Sequence, residues 1–97
     1  MTTASSEEKM RLLAKQLRTV GDEGRLRILC TLITHTRACV SDIAGRTEMT
    51  VATTSHHLQV LVRERVLIAE REGKHKYYSL SHESFIRDLK RHICKYR

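Results

Sequence analysis

Residues 50–61 read Thr-Val-Ala-Thr-Thr-Ser-His-His-Leu-Gln-Val-Leu (TVATTSHHLQVL). The second half has helical spacing, with Leu58, Leu61 and Val62 one turn apart. Thr50 stands where a helix N-cap belongs, its hydroxyl able to accept from the first turn. The predicted helix runs from there to about Arg65. Thr54, Leu58, Leu61 and Arg65 fall on one face, with His57 at its border. Ala52, His56, Gln59 and Arg63 fall on the opposite face at i, i+4, i+7 and i+11, with Ser55 beside them. Neighbouring positions on a helix diverge by about 100°, so His56 and His57 cannot jointly clamp one ion or one substrate. His57 is expected to pack toward other helices and His56 to face outward.

Working outward, the stretch is the fourth of five predicted helices. The first starts at Ser5, where Ser5 and Glu8 form a capping-box pattern. Met10, Leu13, Leu17 and Val20 make its apolar stripe, and Gly21 ends it. Asp22 is placed to cap the second helix, whose apolar side is expected to be Leu26, Leu29, Cys30 and Ile33. Ser41 opens a short third helix that stops between Gly45 and Thr47. After Arg65 the period changes. VLIAEREGKHKYYSL holds two short strand-like runs about Gly73, which predicts a β-hairpin with Arg71, Glu72, Lys74, His75 and Lys76 at its tip. Ser81 is read as the cap of a last helix with Phe85, Ile86, Leu89, Ile93 and Tyr96 as its stripe.

The chain has 97 residues, enough for one small domain, so residues 1–97 are taken as a single unit. Eighteen Lys and Arg against eleven Asp and Glu give a formal net charge of +7. A small, strongly basic domain suits a polyanion, with nucleic acid the first candidate. The blander alternative is a merely soluble cationic protein. The opening MTTASSEEKM has no apolar core and is read as no signal peptide. No apolar run approaches membrane-spanning length. Three unevenly spaced cysteines do not suggest a disulfide framework, and a cytoplasmic protein with reduced thiols is expected.

A short helix, a turn, a longer helix and a basic hairpin make a winged helix-turn-helix. The expected fold is mostly α with a small β-hairpin wing, in the order ααααββα. Its second motif helix would enter the major groove of double-stranded DNA with its N-terminal residues at the base edges. His56, among small hydroxyl side chains that let the helix approach closely, is then a base contact; the alternative is an ordinary exposed histidine. Gln59 and Arg63 continue the same face.

The segments GRLRILCTL (24–32), CVSDIA (39–44), TVATTSHHLQVL and REGKHKYYSL (71–80) together resemble the ArsR/SmtB family of small dimeric bacterial repressors, over nearly the whole chain. The resemblance implies a homodimer sealed by the first and last helices and an inducer that lowers operator affinity. It implies DNA contacts by Thr50, Val51, Ala52, Ser55 and His56, with Lys74 and Lys76 near phosphate or the minor groove. The family often carries Gln then Ser where this chain has Val51 and Ala52. These two can touch a thymine methyl but cannot hydrogen-bond a base.

The same resemblance frames what is sensed. The family's arsenic-binding box looks like Cys-Val-Cys-Asp-Leu; here it is Cys39-Val40-Ser41-Asp42-Ile43, so the second thiol is a serine. The family's last-helix zinc site fits poorly, because His82 has no preceding Asp and His92 follows ten residues later rather than eleven. No metal and no cofactor are therefore assigned. Cys30 in the second helix and Cys94 near the end of the last resemble the branch that senses reactive sulfur species through one cysteine in each. Positive neighbours Arg91, His92 and Lys95 favour a Cys94 thiolate; a cysteine on an apolar face is alternatively a small buried hydrophobe. The expected function is a repressor released by modification of Cys30 and Cys94. The alternatives are an arsenite- or soft-metal-responsive repressor using Cys39 with another thiol, and a non-specific architectural DNA binder. An enzyme is not expected: the cysteines lie on three separate elements, and a cysteine nucleophile needs a base and an orienting group in one cleft.

Overall fold

Asp22 accepts a hydrogen bond from the Arg25 amide at 3.1 Å, and Thr50 accepts one from the Thr53 amide at 3.0 Å. These two caps fix the starts of the helices that carry the motif. The computed structural model describes residues 6–93; the readings made at Ser5, Cys94, Lys95 and Tyr96 fall outside the described residues. The elements are α1 (Ser6–Val20), α2 (Glu23–His35), β1 (Arg37–Ala38), α3 (Val40–Thr47), α4 (Val51–Arg63), β2 (Leu67–Glu72), β3 (His75–Leu80) and α5 (Ser84–Ile93). This is a winged helix-turn-helix, mostly α with a small antiparallel sheet.

Five features differ from the sequence reading. A short strand, β1, precedes α3 and pairs with β3 at Arg37↔Ser79 and Ala38↔Tyr78, giving the sheet order β1-β3-β2. Two residues have no period from which to be read. α3 begins at Val40 rather than Ser41, with Cys39 in the N-cap position and no side-chain cap bond. α4 ends at Arg63 rather than Arg65. There Arg65 takes a left-handed φ of 63°, while the Val66 amide bonds the Leu61 carbonyl and the Arg65 amide bonds that of Val62. That pair of bonds is a Schellman closure made without the usual glycine. α5 begins at Ser84; Ser81 is not its cap, because its amide is held by the Val66 carbonyl beside the sheet. The face of α2 that enters the core is Ile28, Leu29 and Leu32, while Leu26, Cys30 and Ile33 are half-buried.

The core is built where α2, α3 and α4 cross above the sheet. Ile28, Leu29, Leu32, Ile43, Leu58, Leu61, Val66 and Leu67 are its centre, joined by Val20 from α1 and Ile86 from α5. Only the last turn of α1 reaches it. Met10, Leu12, Leu13 and Leu17 remain exposed along the rest of that helix. The hairpin turn is Gly73-Lys74, with Glu72 opposite His75 and Gly73 at φ 64°. A glycine at the first turn position, where φ is positive, is the pattern of a type II′ hairpin.

Candidate nucleic-acid interface

α4 is divided as its spacing predicts. Thr54, Leu58 and Leu61 have no exposed surface at all, and Val51, Ala52, His56, Gln59 and Arg63 are exposed on the other side, with Ser55 half-buried between. Thr50 is exposed, but its hydroxyl is occupied as the helix cap, so it can offer a DNA ligand only its remaining lone pair and its proton. An exposed Val51 with about half its surface free adds an apolar contact at the helix tip. Lys74 and Lys76 project from the wing, where Lys76 Nζ lies 5.7 Å from the Tyr78 ring centroid.

His56 and His57 part as expected. Their ring centroids are 6.2 Å apart and tilted by 52°. His57 Nδ1 accepts from Arg25 Nε at 3.2 Å, so that nitrogen carries no proton. Arg25 also reaches the Thr19 carbonyl at 3.0 Å, and Asp22 Oδ2 lies 3.8 Å from His57 Nε2. A side chain at Gly24 would come within 3.1 Å of His57 and 3.2 Å of both Asp22 and Met49. α4 is thus tied to the α1–α2 corner through Arg25, at a place where any side chain on residue 24 would crowd its neighbours. Sequence reasoning missed Arg25 and Gly24. The available signal was a glycine inside the first turn of α2, where it is a poor helix former.

From β1, Arg37 reaches along the wing to bond Glu72 beside the turn at 3.0 Å and stacks 4.0 Å from the Tyr77 ring centroid. The Glu72 hydrogen bond, with smaller help from Tyr77, raises the guanidinium pKa above its already high ordinary value. Arg37 therefore stays cationic at any working pH.

The two described thiols lie on separate elements. Cys30 is half-buried in the wall of an apolar cavity of about 420 Å³ between α1, α2 and α5, with Leu17, Val20, Leu26, Leu89 and Ile93. Cys94 lies outside the described residues. Cys39, at the start of α3, has Sγ 3.4 Å from Ser41 Oγ.

Residues 22–68, from the cap of α2 into β2, match the family model described as bacterial regulatory protein, arsR family. That match covers 47 of the 97 residues. The cadmium resistance transcriptional regulatory protein CadC of Listeria innocua is 39% identical over 71 residues, which are 73% of this chain and 55% of that protein. The match thus spans just over half the length of that relative. The arsenical resistance operon repressor of Bacillus subtilis is 27% identical over 90 residues, 93% of this chain and 86% of that one. Among solved structures, the homodimeric winged helix-turn-helix DNA-binding domain of Mb0332 from Mycobacterium bovis superposes with a TM-score of 0.75 at 26% identity, covering 96% of this chain and 86% of that chain. The arsR family is one of transcriptional regulators, not enzymes.

Two relatives are named for resistance to cadmium and to arsenicals, so the donor set of this chain matters. Among the described residues no group of three or more His, Cys, Asp or Glu is placed to hold a metal ion. At the box that opens α3, a hydroxyl stands beside the one thiol, and a serine hydroxyl is a poor ligand for a soft cation. The described residues of one chain do not fit such an ion. No helix among them is long and apolar enough to cross a membrane.

Proposed function

We propose that residues 1–97 act as one homodimeric, cytoplasmic repressor that holds operator DNA through α4 and the wing. The observation that carries this is the division of α4 into a fully buried face and an exposed face bearing Ala52, His56, Gln59 and Arg63. A net charge of +7 supplies the sequence-independent attraction to phosphate. The Mycobacterium bovis domain is described as a homodimer, and the exposed stripe of α1 suits the same arrangement here. In this reading Thr50, Val51, Ala52, Ser55 and His56 lie at base edges, Gln59 and Arg63 continue toward the backbone, and Lys74 and Lys76 meet phosphate.

The test separates base contact from phosphate contact. His56→Ala should weaken binding to the operator by about 1–3 kcal/mol and relax sequence preference, with the fold intact. Lys74→Ala or Lys76→Ala should weaken binding to all sequences alike and lower the salt slope by about one unit. Fluorescence anisotropy with operator and scrambled duplexes at several salt concentrations measures both. Normal operator binding by His56→Ala, with selective loss by Lys74→Ala, would reverse the roles. A footprint with no preferred site would replace the repressor with an architectural DNA binder.

For the inducer, the reading is covalent modification of the pair Cys30 and Cys94 by reactive sulfur species. Its support is that Cys30 shares its cavity with Ile93, the residue next in sequence to Cys94. In forming a bridge the two thiols lose two protons and two electrons. A persulfide donor takes them up and leaves as thiol and hydrogen sulfide, and each sulfur atom inserted into the bridge comes from one further donor, which leaves as thiol. A direct disulfide needs Cα atoms about 4.4–6.8 Å apart, and inserted sulfur spans a larger gap. A tenfold loss of DNA affinity needs only about 1.4 kcal/mol between the bridged and reduced states. Cys30→Ser and Cys94→Ser should each stay on operator DNA when a persulfide donor is added, while Cys39→Ser should release. The second reading, arsenite or another soft metal at Cys39, is favoured by the names of the cadmium and arsenical relatives. It takes over if Cys39→Ser is the variant that stops responding and arsenite releases the wild type.

A further inference from the structure

A cavity of about 490 Å³ lies away from α4, between the end of α2, the β1-β3 side of the sheet and the start of α5. That volume is within the range of small-molecule pockets, about 300–1,000 Å³. Its inner wall is apolar, formed by Leu32, Leu80 and Ile86. Its outer wall carries Arg37, Arg87 and Lys90 against the single carboxylate of Glu70, with His82 beside them. Arg87 and Lys90 stand three apart on α5, on one face of the helix, and form no ion pair among the described residues. Arg37 is held at the mouth by Glu72 and Tyr77. Ser81, in the same wall, is 91% buried, and its Oγ has no hydrogen-bond partner among the described residues. Buried hydroxyls are nearly always paired, and one left unpaired points to a missing partner.

We infer that this cavity binds a small organic anion, a carboxylate on an apolar body. The body would lie on Leu32, Leu80 and Ile86, the carboxylate would be drawn by Arg87 and Lys90, and Ser81 Oγ would gain an acceptor. A DNA phosphate fits less well, because it has no apolar part to cover the inner wall and because no residue of α4 lines the cavity. An occupant would bridge the wing to the last helix. Its effect on operator affinity would rest on the repressor reading; its binding does not.

Octanoate is the probe, with octan-1-ol supplying the body without the charge and inorganic phosphate the charge without the body. Titration calorimetry on the full chain should show octanoate saturating at one per chain, with both controls at least tenfold weaker. Arg87→Gln/Lys90→Gln, at two exposed positions, should lower octanoate affinity at least tenfold with an unchanged thermal melt. Ser81→Ala should lower it severalfold. No saturation by about 5 mM octanoate would overturn the proposal. So would octanol binding as tightly, which makes the cavity a plain apolar groove, or phosphate binding as tightly, which makes it a backbone contact. Loss of the dimer in sedimentation by Arg87→Gln/Lys90→Gln would assign the cavity to a second copy of the chain and overturn it equally.

Discussion

Leu13→Asp with Leu17→Asp is expected to leave the protein a monomer and to reduce operator binding by about a thousandfold or more. Met10, Leu12, Leu13 and Leu17 are between 40% and 66% exposed, in a helix whose last turn alone reaches the core. Fully burying one such side chain contributes about 1.5–3 kcal/mol, so a partner covering the four gains a substantial free energy. Two carboxylates in the middle of the stripe would have to be desolvated without partners, which reverses the sign. A single head then reaches one half-site. Specific and non-specific affinities typically differ by about 10³–10⁷, and the monomer should fall toward the lower level. Sedimentation velocity reports the mass and anisotropy the affinity. A variant that stayed dimeric would move the seam elsewhere.

Leu58→Ala should lose about 2–5 kcal/mol of folding free energy, the usual range for a leucine deleted from a closed core. Leu58 has no exposed surface and belongs to the buried cluster that α4 shares with α2 and α3. A domain of this size holds about 5–15 kcal/mol in total, so the loss takes a large share of it. One turn earlier the sign should invert. Thr54 is equally buried and its Oγ1 has no hydrogen-bond partner among the described residues. Thr54→Val keeps the shape and removes the unsatisfied hydroxyl, and should stabilise by about 1 kcal/mol. Denaturant melts with unchanged slopes measure both. A loss below about 1 kcal/mol for Leu58→Ala would mean that α4 is not anchored where its buried face indicates.

α4 was legible because its two faces differ in chemistry: leucines and one threonine inward, histidine, glutamine and arginine outward. The hairpin was legible because a lone glycine stood between two runs of period two. α2 was harder. Ile28 and Leu32 interleave with Leu26, Cys30 and Ile33, so apolar residues ring much of the helix and the pattern alone does not choose the side that enters the core. Ser81 looked like a cap because Ser is a good one and a helix follows. The backbone there instead turns to meet Val66 first, a contact fixed by the sheet. The bond from Arg25 to His57 joins positions 32 apart and exists only once α2 and α4 have crossed. The exposed face of α4 was readable residue by residue, whereas the cationic cavity beside α5 was not: its walls come from α2, β3 and α5 and share no local pattern.

The two-residue strand β1 has a consequence for how the domain opens. Because Arg37 and Ala38 are laced to Ser79 and Tyr78, the chain from α3 through the hairpin is a closed circuit, pinned at both ends. Such a segment cannot fray from a terminus as α1 can. Backbone amides in α4 then exchange with solvent only when the β1-β3 clasp parts, which also opens the core beneath it. The slowest-exchanging protons in the molecule are therefore expected within α4, the helix proposed to read DNA.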